Sequence, residues 1–170
     1  MAAQHFIGNR RIHSHSSLVI PVIDPSDGQP YAEIARGDAY DVDFAVQTAR
    51  TAADGEWGLM PAAERGRQLA RLAQAIGRYQ EELAQIEARD CGKPLGQART
   101  DAAAVARYFE FYAGACDKLH GDTLPYQHGY TVFTLREAFG VTGHIIPWNY
   151  PLQIFGRSVG AALAAGNACV

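Results

Sequence analysis

Gly140-Val141-Thr142-Gly143-His144-Ile145-Ile146-Pro147-Trp148-Asn149-Tyr150-Pro151 is the stretch on which the fold turns. Its first half is rich in β-formers, and the Pro-Trp-Asn-Tyr-Pro run breaks the strand. A small-residue helix is predicted from Pro151 to Ala165, ended by Gly166-Asn167, with a further strand starting at Ala168-Cys169-Val170. Strand, tight turn, helix is the unit of doubly wound α/β sheets, which bind ligands at the carboxyl ends of their strands. Here that end is Ile145 to Asn149.

Pro147 and Pro151 fix φ on either side of Trp148-Asn149-Tyr150 and restrict the residues before them. The side-chain amide of Asn149 is therefore expected on a stiff backbone at the mouth of a crevice. An amide N–H aimed at a developing oxyanion is worth about 10²–10³ in rate. The competing role is a helix cap, but Pro is favoured at the first helical position, which makes Tyr150 the cap. On the residues alone, chemical and structural roles for Asn149 both stay open.

Upstream, Leu18 to Ile23 and Tyr31 to Ala35 read as strands around the turn Asp24-Pro25-Ser26-Asp27-Gly28. A helix is predicted over Asp38 to Asp54, with Val42, Val46, Ala49 and Ala53 on one face. Pro61 to Arg89 reads as one helix, its apolar stripe running Leu69, Leu72, Ile76, Tyr79, Leu83, Ile86, and Gly92 and Pro94 stop it. Leu95 to Lys118 follows, with Val105, Tyr108, Phe109, Tyr112 and Leu119 as its stripe. From Gly129 the character becomes strand again, with Tyr130, Val132, Phe133 and Leu135. From Ala138 onward Arg157 is the only formally charged residue, so that stretch belongs inside a larger sheet structure. The chain is expected to be an incomplete domain.

A net charge of −3 and a pI near 6.0 supply no basic field for nucleic acid or acidic lipid. The first residues lack the basic and apolar regions of a secretory signal, and no run approaches the ~18 apolar residues of a membrane span. A cytoplasmic location is the expectation. Cys91, Cys116 and Cys169 are an odd, widely spaced set and read as structural thiols. Cys91 alone has a neighbour, Lys93, able to lower its pKa. His13-Ser14-His15, on an N-terminal segment expected to be flexible, lacks the further ligands a metal needs and reads as solvated.

The run from Gly140 to Leu152 with Ala162-Leu163-Ala164-Ala165-Gly166-Asn167-Ala168 resembles the signature of the aldehyde dehydrogenase superfamily. Asp24 to Gly28, Asp41 to Val46, Asp90 to Leu95 and Tyr112-Ala113-Gly114 are similar to further landmarks of that family, in its order. The resemblance implies an α/β fold, the N-terminal part of a nucleotide-binding, Rossmann-like domain with a helical front and a strand arm. Residues 1–128 would be the front, 129–140 an arm pairing across subunits in a homo-oligomer, and 141–170 the first strand-helix unit. It implies oxidation of an aldehyde to a carboxylate through a cysteine thiohemiacetal and thioester. Asn149 would then stabilise the oxyanion, and Ile145, Ile146, Pro147 and Trp148 would border NAD, or NADP in its place.

Tyr150, Gln153, Ile154 and Arg157 share one helical face, which in the family lines the substrate tunnel. A lone Arg in an apolar helix needs a partner, so Arg157 is expected to favour an aldehyde bearing a carboxylate or other polar group. Ser158 stands where several branches, including those acting on betaine aldehyde, carry Lys, and Ala138 stands where Arg-Glu-Pro is usual. The nucleophilic cysteine and the general-base glutamate would lie beyond Val170, so the chain alone is expected to be inactive. The alternative is a non-catalytic truncated subunit or oligomerisation module; an unrelated helical binding protein leaves the Pro-Trp-Asn-Tyr-Pro turn unexplained.

Overall fold

Turn chemistry sets the first third of the chain. In the computed structural model, which describes residues 4–170, β1 (His5–Ile7) and β2 (Arg10–Ile12) pair through Gly8-Asn9, both at positive φ. That backbone is the one two-residue hairpins favour. Next, β3 (Val19–Ile23) pairs antiparallel with β4 (Pro30–Ala35), as predicted. Asp24 closes their turn, accepting from the Ser26 amide at 3.0 Å, while the Gly28 amide donates to the Asp24 carbonyl at 2.8 Å.

Helix α1 (Ala39–Asp54) begins in a capping box: the Asp38 carboxylate accepts from the Tyr40 and Asp41 amides, and Asp41 accepts from the Asp38 amide. Asp41 also fixes the segment before the hairpin. Its carboxylate accepts from Ser14 Oγ at 2.8 Å and from the His15 amide at 3.0 Å. The segment expected to be flexible is therefore anchored, Ser14 is buried, and His15 pairs with Asp38 at 3.1 Å.

A short α2 (Glu56–Leu59) leads to α3 (Ala62–Arg78) and α4 (Gln80–Cys91). The single helix predicted from Pro61 to Arg89 is thus broken at Tyr79, whose backbone leaves helical values at φ −102°, ψ 14°. The Tyr79 amide is shared between the Ala75 and Ile76 carbonyls, a bifurcation usual at helix ends. Leu72, Tyr79 and Ile86 of the predicted stripe lie exposed. The break redirects α4 so that Ala84 packs against Ala98 and Ala102 of α5 (Leu95–Ala115). Gly92, at φ 68°, ends α4 in left-handed backbone as expected.

Helix α5 is the centre of the molecule. Val105 and Phe109 are fully buried between Leu69 and Ala73 of α3 and Val159 and Ala164 of α6 (Pro151–Ala164). Close approach needs missing side chains: a Cβ on Gly156 would meet Val105 Cγ2 at 2.8 Å, and one on Gly66 would meet the Ala113 carbonyl at 2.7 Å. Leu119, predicted to continue the stripe, is exposed beyond a short 3₁₀ turn at Cys116–Lys118.

Two small sheets complete the chain. β5 (Thr123–Leu124) pairs antiparallel with β6 (Val132–Phe133), so pairing is shorter than the strand read from Gly129 and begins before it. β7 (Val141–Thr142), α6 and β8 (Ala168–Cys169) form a parallel strand-helix-strand unit, the element predicted from the opening motif. The Val170 amide donates to the Thr142 carbonyl at 2.9 Å and the His144 amide to the Val170 carbonyl at 2.7 Å. Trp57 of α2 reaches across to this unit, its Nε1 donating to the Asn167 carbonyl at 2.9 Å. No helix among the described residues is long and apolar enough to cross a membrane.

Candidate functional site

Residues 143 to 150 carry the chain from β7 into α6; the strand stops at Thr142, so Ile145 to Asn149, expected at its carboxyl end, lie in irregular backbone beyond it. Pro151 occupies the start of the helix, Tyr150 is its N-cap, and no side chain caps it. Asn149 is exposed, and its amide bonds to none of the described residues. A capping role is thereby removed for Asn149, as the position of Pro151 predicts. Beside it, Ile145 is 99% and Trp148 78% exposed, while Ile146 is half-buried. The result is a bare apolar ledge next to a free amide.

The helix face read as substrate-lining has definite neighbours. Gln153 Nε2 donates to Asp101 Oδ1 at 2.7 Å, and Arg157 Nη2 donates to Gln153 Oε1 at 3.2 Å. The Arg157 guanidinium also lies 5.6 Å from the Tyr108 ring centroid and is otherwise exposed. The Ile154 side chain is half-buried, and its amide donates to the Tyr150 carbonyl at 3.0 Å. Ser158 Oγ shares a 2.7 Å bond with His144 Nδ1, tying α6 to β7.

A charged cluster behind the turn is absent from the sequence reading. Lys93 Nζ donates to Glu87 Oε1 at 2.9 Å and to Asp101 Oδ2 at 2.8 Å, and it lies 4.4 Å from the Tyr150 ring centroid. Asp101 is fully buried and also accepts from Gln97 at 2.8 Å. A signal was available. Asp101 falls on the same helical stripe as Ala98, Ala102 and Val105, and an acid on an apolar stripe demands a partner.

Electrostatics follow from that cluster. Burial alone would raise the Asp101 pKa, but hydrogen bonds from Lys93, Gln153 and Gln97 hold it below the ordinary carboxylate value. Burial alone would lower Lys93, and its bonds to Asp101 and Glu87 push it above the ordinary lysine value instead. A depressed carboxylate stabilises the fold above its unfolded pKa of about 3.9 and loses that contribution as pH falls through its folded value. A raised lysine holds its contribution below about 10.4 and loses it as pH rises through its folded value. The expected result is that Asp101→Asn flattens the acid side of the stability profile, measured as the change in urea midpoint between about pH 5 and pH 3. An unchanged acid slope in that variant would show that Asp101 is not a source of it.

Cys91 fits the structural role read from its sequence. Its Sγ donates to the Trp148 carbonyl at 3.0 Å, and burial, with Asp90, Glu87 and Asp101 nearby, pushes the thiol pKa up against the pull of Lys93. The one nearby charge able to lower its pKa, Lys93, is committed to two carboxylates. Burial also raises the Cys116 and Cys169 thiols, so none of the three is set up as a nucleophile. No group of three or more metal-ligating side chains occurs among the described residues. A cavity of about 660 Å³ between α1, β1 and β8 is lined by Ala45, Ala49, Trp57 and Cys169, and it holds none of the predicted site residues.

The family model for the aldehyde dehydrogenase family matches residues 12–170. Aldehyde dehydrogenase family 2 member B4, mitochondrial, of Arabidopsis thaliana is 46% identical over 98% of this chain and 31% of its own length. Hydroxyisobutyraldehyde dehydrogenase of Mycolicibacterium austroafricanum is 44% identical over 97% of the chain and 32% of its own. Among solved structures, a Burkholderia cenocepacia protein assigned as an aldehyde dehydrogenase superposes with a TM-score of 0.97 at 68% identity, over 98% of this chain and 35% of that one. The NAD+ complex of aldehyde dehydrogenase from Bacillus cereus gives 0.96 at 35% identity, over 99% and 35%. The chain thus spans about a third of the length of the relatives it matches.

Proposed function

The chain belongs to the aldehyde dehydrogenase family, and from that premise we propose that it forms part of an enzyme oxidising an aldehyde to a carboxylate with NAD. One observation carries the reading: Asn149 presents an exposed, unbonded amide on a proline-bounded turn, in the segment that joins a strand of a parallel pair to the following helix. In the proposed reaction a cysteine outside these residues attacks the aldehyde carbon. The Asn149 N–H donates to the carbonyl oxygen as it gains negative charge, in the manner of an oxyanion hole. The thiohemiacetal becomes a thioester, which water activated by a glutamate, also outside these residues, hydrolyses.

Ile145, Ile146, Pro147 and Trp148 would form the cofactor border. The exposed Ile145 and Trp148 side chains suit a flat, partly apolar ring, and they stand where open α/β sheets take their ligands. NAD, when bound, supplies the hydride acceptor; NADP is the alternative. Tyr150, Gln153, Ile154 and Arg157 would line the substrate side. Arg157 has no carboxylate bonded to it among the described residues, which supports an anionic or polar aldehyde. Arg157→Leu is expected to lower kcat/KM for an anionic aldehyde about tenfold relative to a neutral one of equal length. An unchanged ratio between the two would remove Arg157 from substrate selection.

The exposed Tyr130, Phe133, Leu135 and Phe139 support an arm at 129–140 that pairs with a second subunit in a homo-oligomer. We place the enzyme in the cytoplasm. The test is NADH formation by the whole protein with aliphatic, aromatic and carboxylate-bearing aldehydes. Failure with all of them, in protein that is folded, would sink the reading.

A further inference from the structure

The turn that carries Asn149 is tied to the corner between α4 and α5 from both sides. On one side the Trp148 carbonyl accepts from Cys91 Sγ at 3.0 Å. On the other, the Tyr150 ring covers Lys93 Nζ at 4.4 Å, and Gln153, one turn on, donates to Asp101 at 2.7 Å. Lys93 is the hub of the second set of contacts. Its side chain is 10% exposed, and its two carboxylate partners, Glu87 and Asp101, are 2% and 0% exposed.

A buried ion cluster is a poor way to gain stability, because desolvating the charges consumes most of their attraction. Directional bonds to one fixed ammonium are, by contrast, a good way to hold a geometry. Glu87 and Asp101 approach Lys93 from α4 and α5, which leaves its remaining donor side to the Tyr150 ring. Tyr150 is the N-cap of α6 and the residue next to Asn149, so the orientation of its ring and the direction of the Asn149 side chain are set by one short stretch of backbone.

We infer that Lys93 is a positioning residue: locked by Glu87 and Asp101, its ammonium holds Tyr150 and so fixes where the Asn149 amide points. This rests on the aldehyde-oxidising reading of the site. Lys93 touches neither substrate nor cofactor and acts through Tyr150. Misplacing a reacting group by about 1 Å costs on the order of 10² in rate.

The test uses the whole protein with Lys93→Met, Lys93→Arg, and a triple variant, Glu87→Gln with Lys93→Met and Asp101→Asn. The triple variant removes the ammonium without leaving buried carboxylates unpaired, so it covers the case in which Lys93→Met alone fails to fold. One readout is the split between kcat and KM. The other is hydrogen exchange at the Ile154 amide, whose bond to the Tyr150 carbonyl closes the first turn of α6, compared with the Ala165 amide at its far end.

The triple variant is expected to lose about 10- to 100-fold in kcat with KM within about threefold. Its Ile154 amide should exchange about tenfold faster, with Ala165 unchanged, because a shielded cation over a tyrosine ring is worth about that factor. Lys93→Arg should restore the Ile154 rate to within about threefold. Equal acceleration at Ile154 and Ala165, or acceleration at neither, would show that Lys93 serves packing alone. If the unaltered protein forms no NADH, the aldehyde reading fails, and the exchange comparison still decides the positioning.

Discussion

Replacing Asn149 with alanine in the whole protein is expected to lower kcat/KM for aldehyde oxidation by about 10²–10³. The stability of the 170-residue chain by itself should hardly move. There the Asn149 side chain is exposed and bonded to none of the described residues, and surface substitutions of that kind stay within about ±0.5 kcal/mol. This combination of a large kinetic effect and a negligible thermodynamic one separates an oxyanion donor from a structural amide. NAD binding should be unaffected, since the amide would act on the substrate oxygen alone. A loss of less than about threefold in kcat/KM would remove Asn149 from the chemistry, because a typical neutral hydrogen bond, at about 1 kcal/mol, is worth about fivefold.

Phe109→Ala is expected to cost about 3–5 kcal/mol, read from the shift in denaturant midpoint. Phe109 has no exposed surface and stands where α3, α5 and α6 meet, with Leu69, Val105 and Val159 in the same cluster. Its ring also packs at 5.7 Å from that of Phe155 on α6. The surrounding helices are held close by Gly66 and Gly156, so they have little freedom to collapse into the space left behind. A change below about 1.5 kcal/mol would mean that the three helices relax into the cavity, contrary to the tight packing described. Since α6 begins at the Asn149 turn, some loss of activity should accompany the loss of stability.

Much of this architecture is legible where one residue type admits one conformation. Asp24 to Gly28 announce their turn, Gly92 its left-handed stop, and Pro151 the first residue of α6. The parallel strand at Ala168 follows from the strand-helix unit before it. The break at Tyr79 is different: Leu69, Ile76 and Leu83 keep helical spacing straight through it, and periodicity does not register a change of direction at one residue. β1 and β2 span three residues each, too few for alternation to show, although Gly8-Asn9 was a turn signal. For the site, the prolines marked Asn149, whereas the Lys93 cluster joins residues from α4, α5 and α6 that only the packed helices bring together.

The bond from Trp57 to the Asn167 carbonyl spans 110 positions of sequence. On a ribosome, α1 to α5 leave the exit tunnel and find one another while the parallel unit is still unmade. Each doubling of a closed loop adds only about 0.6 kcal/mol of entropy, so the long span is no thermodynamic obstacle. It is an ordering device: local helix contacts form early, and pairings distant in sequence come late. Trp57 and the apolar face of α5 therefore wait for their partner during synthesis. Among the described elements, the turn bearing Asn149 is expected to settle after α1 to α5, when α6 docks on them.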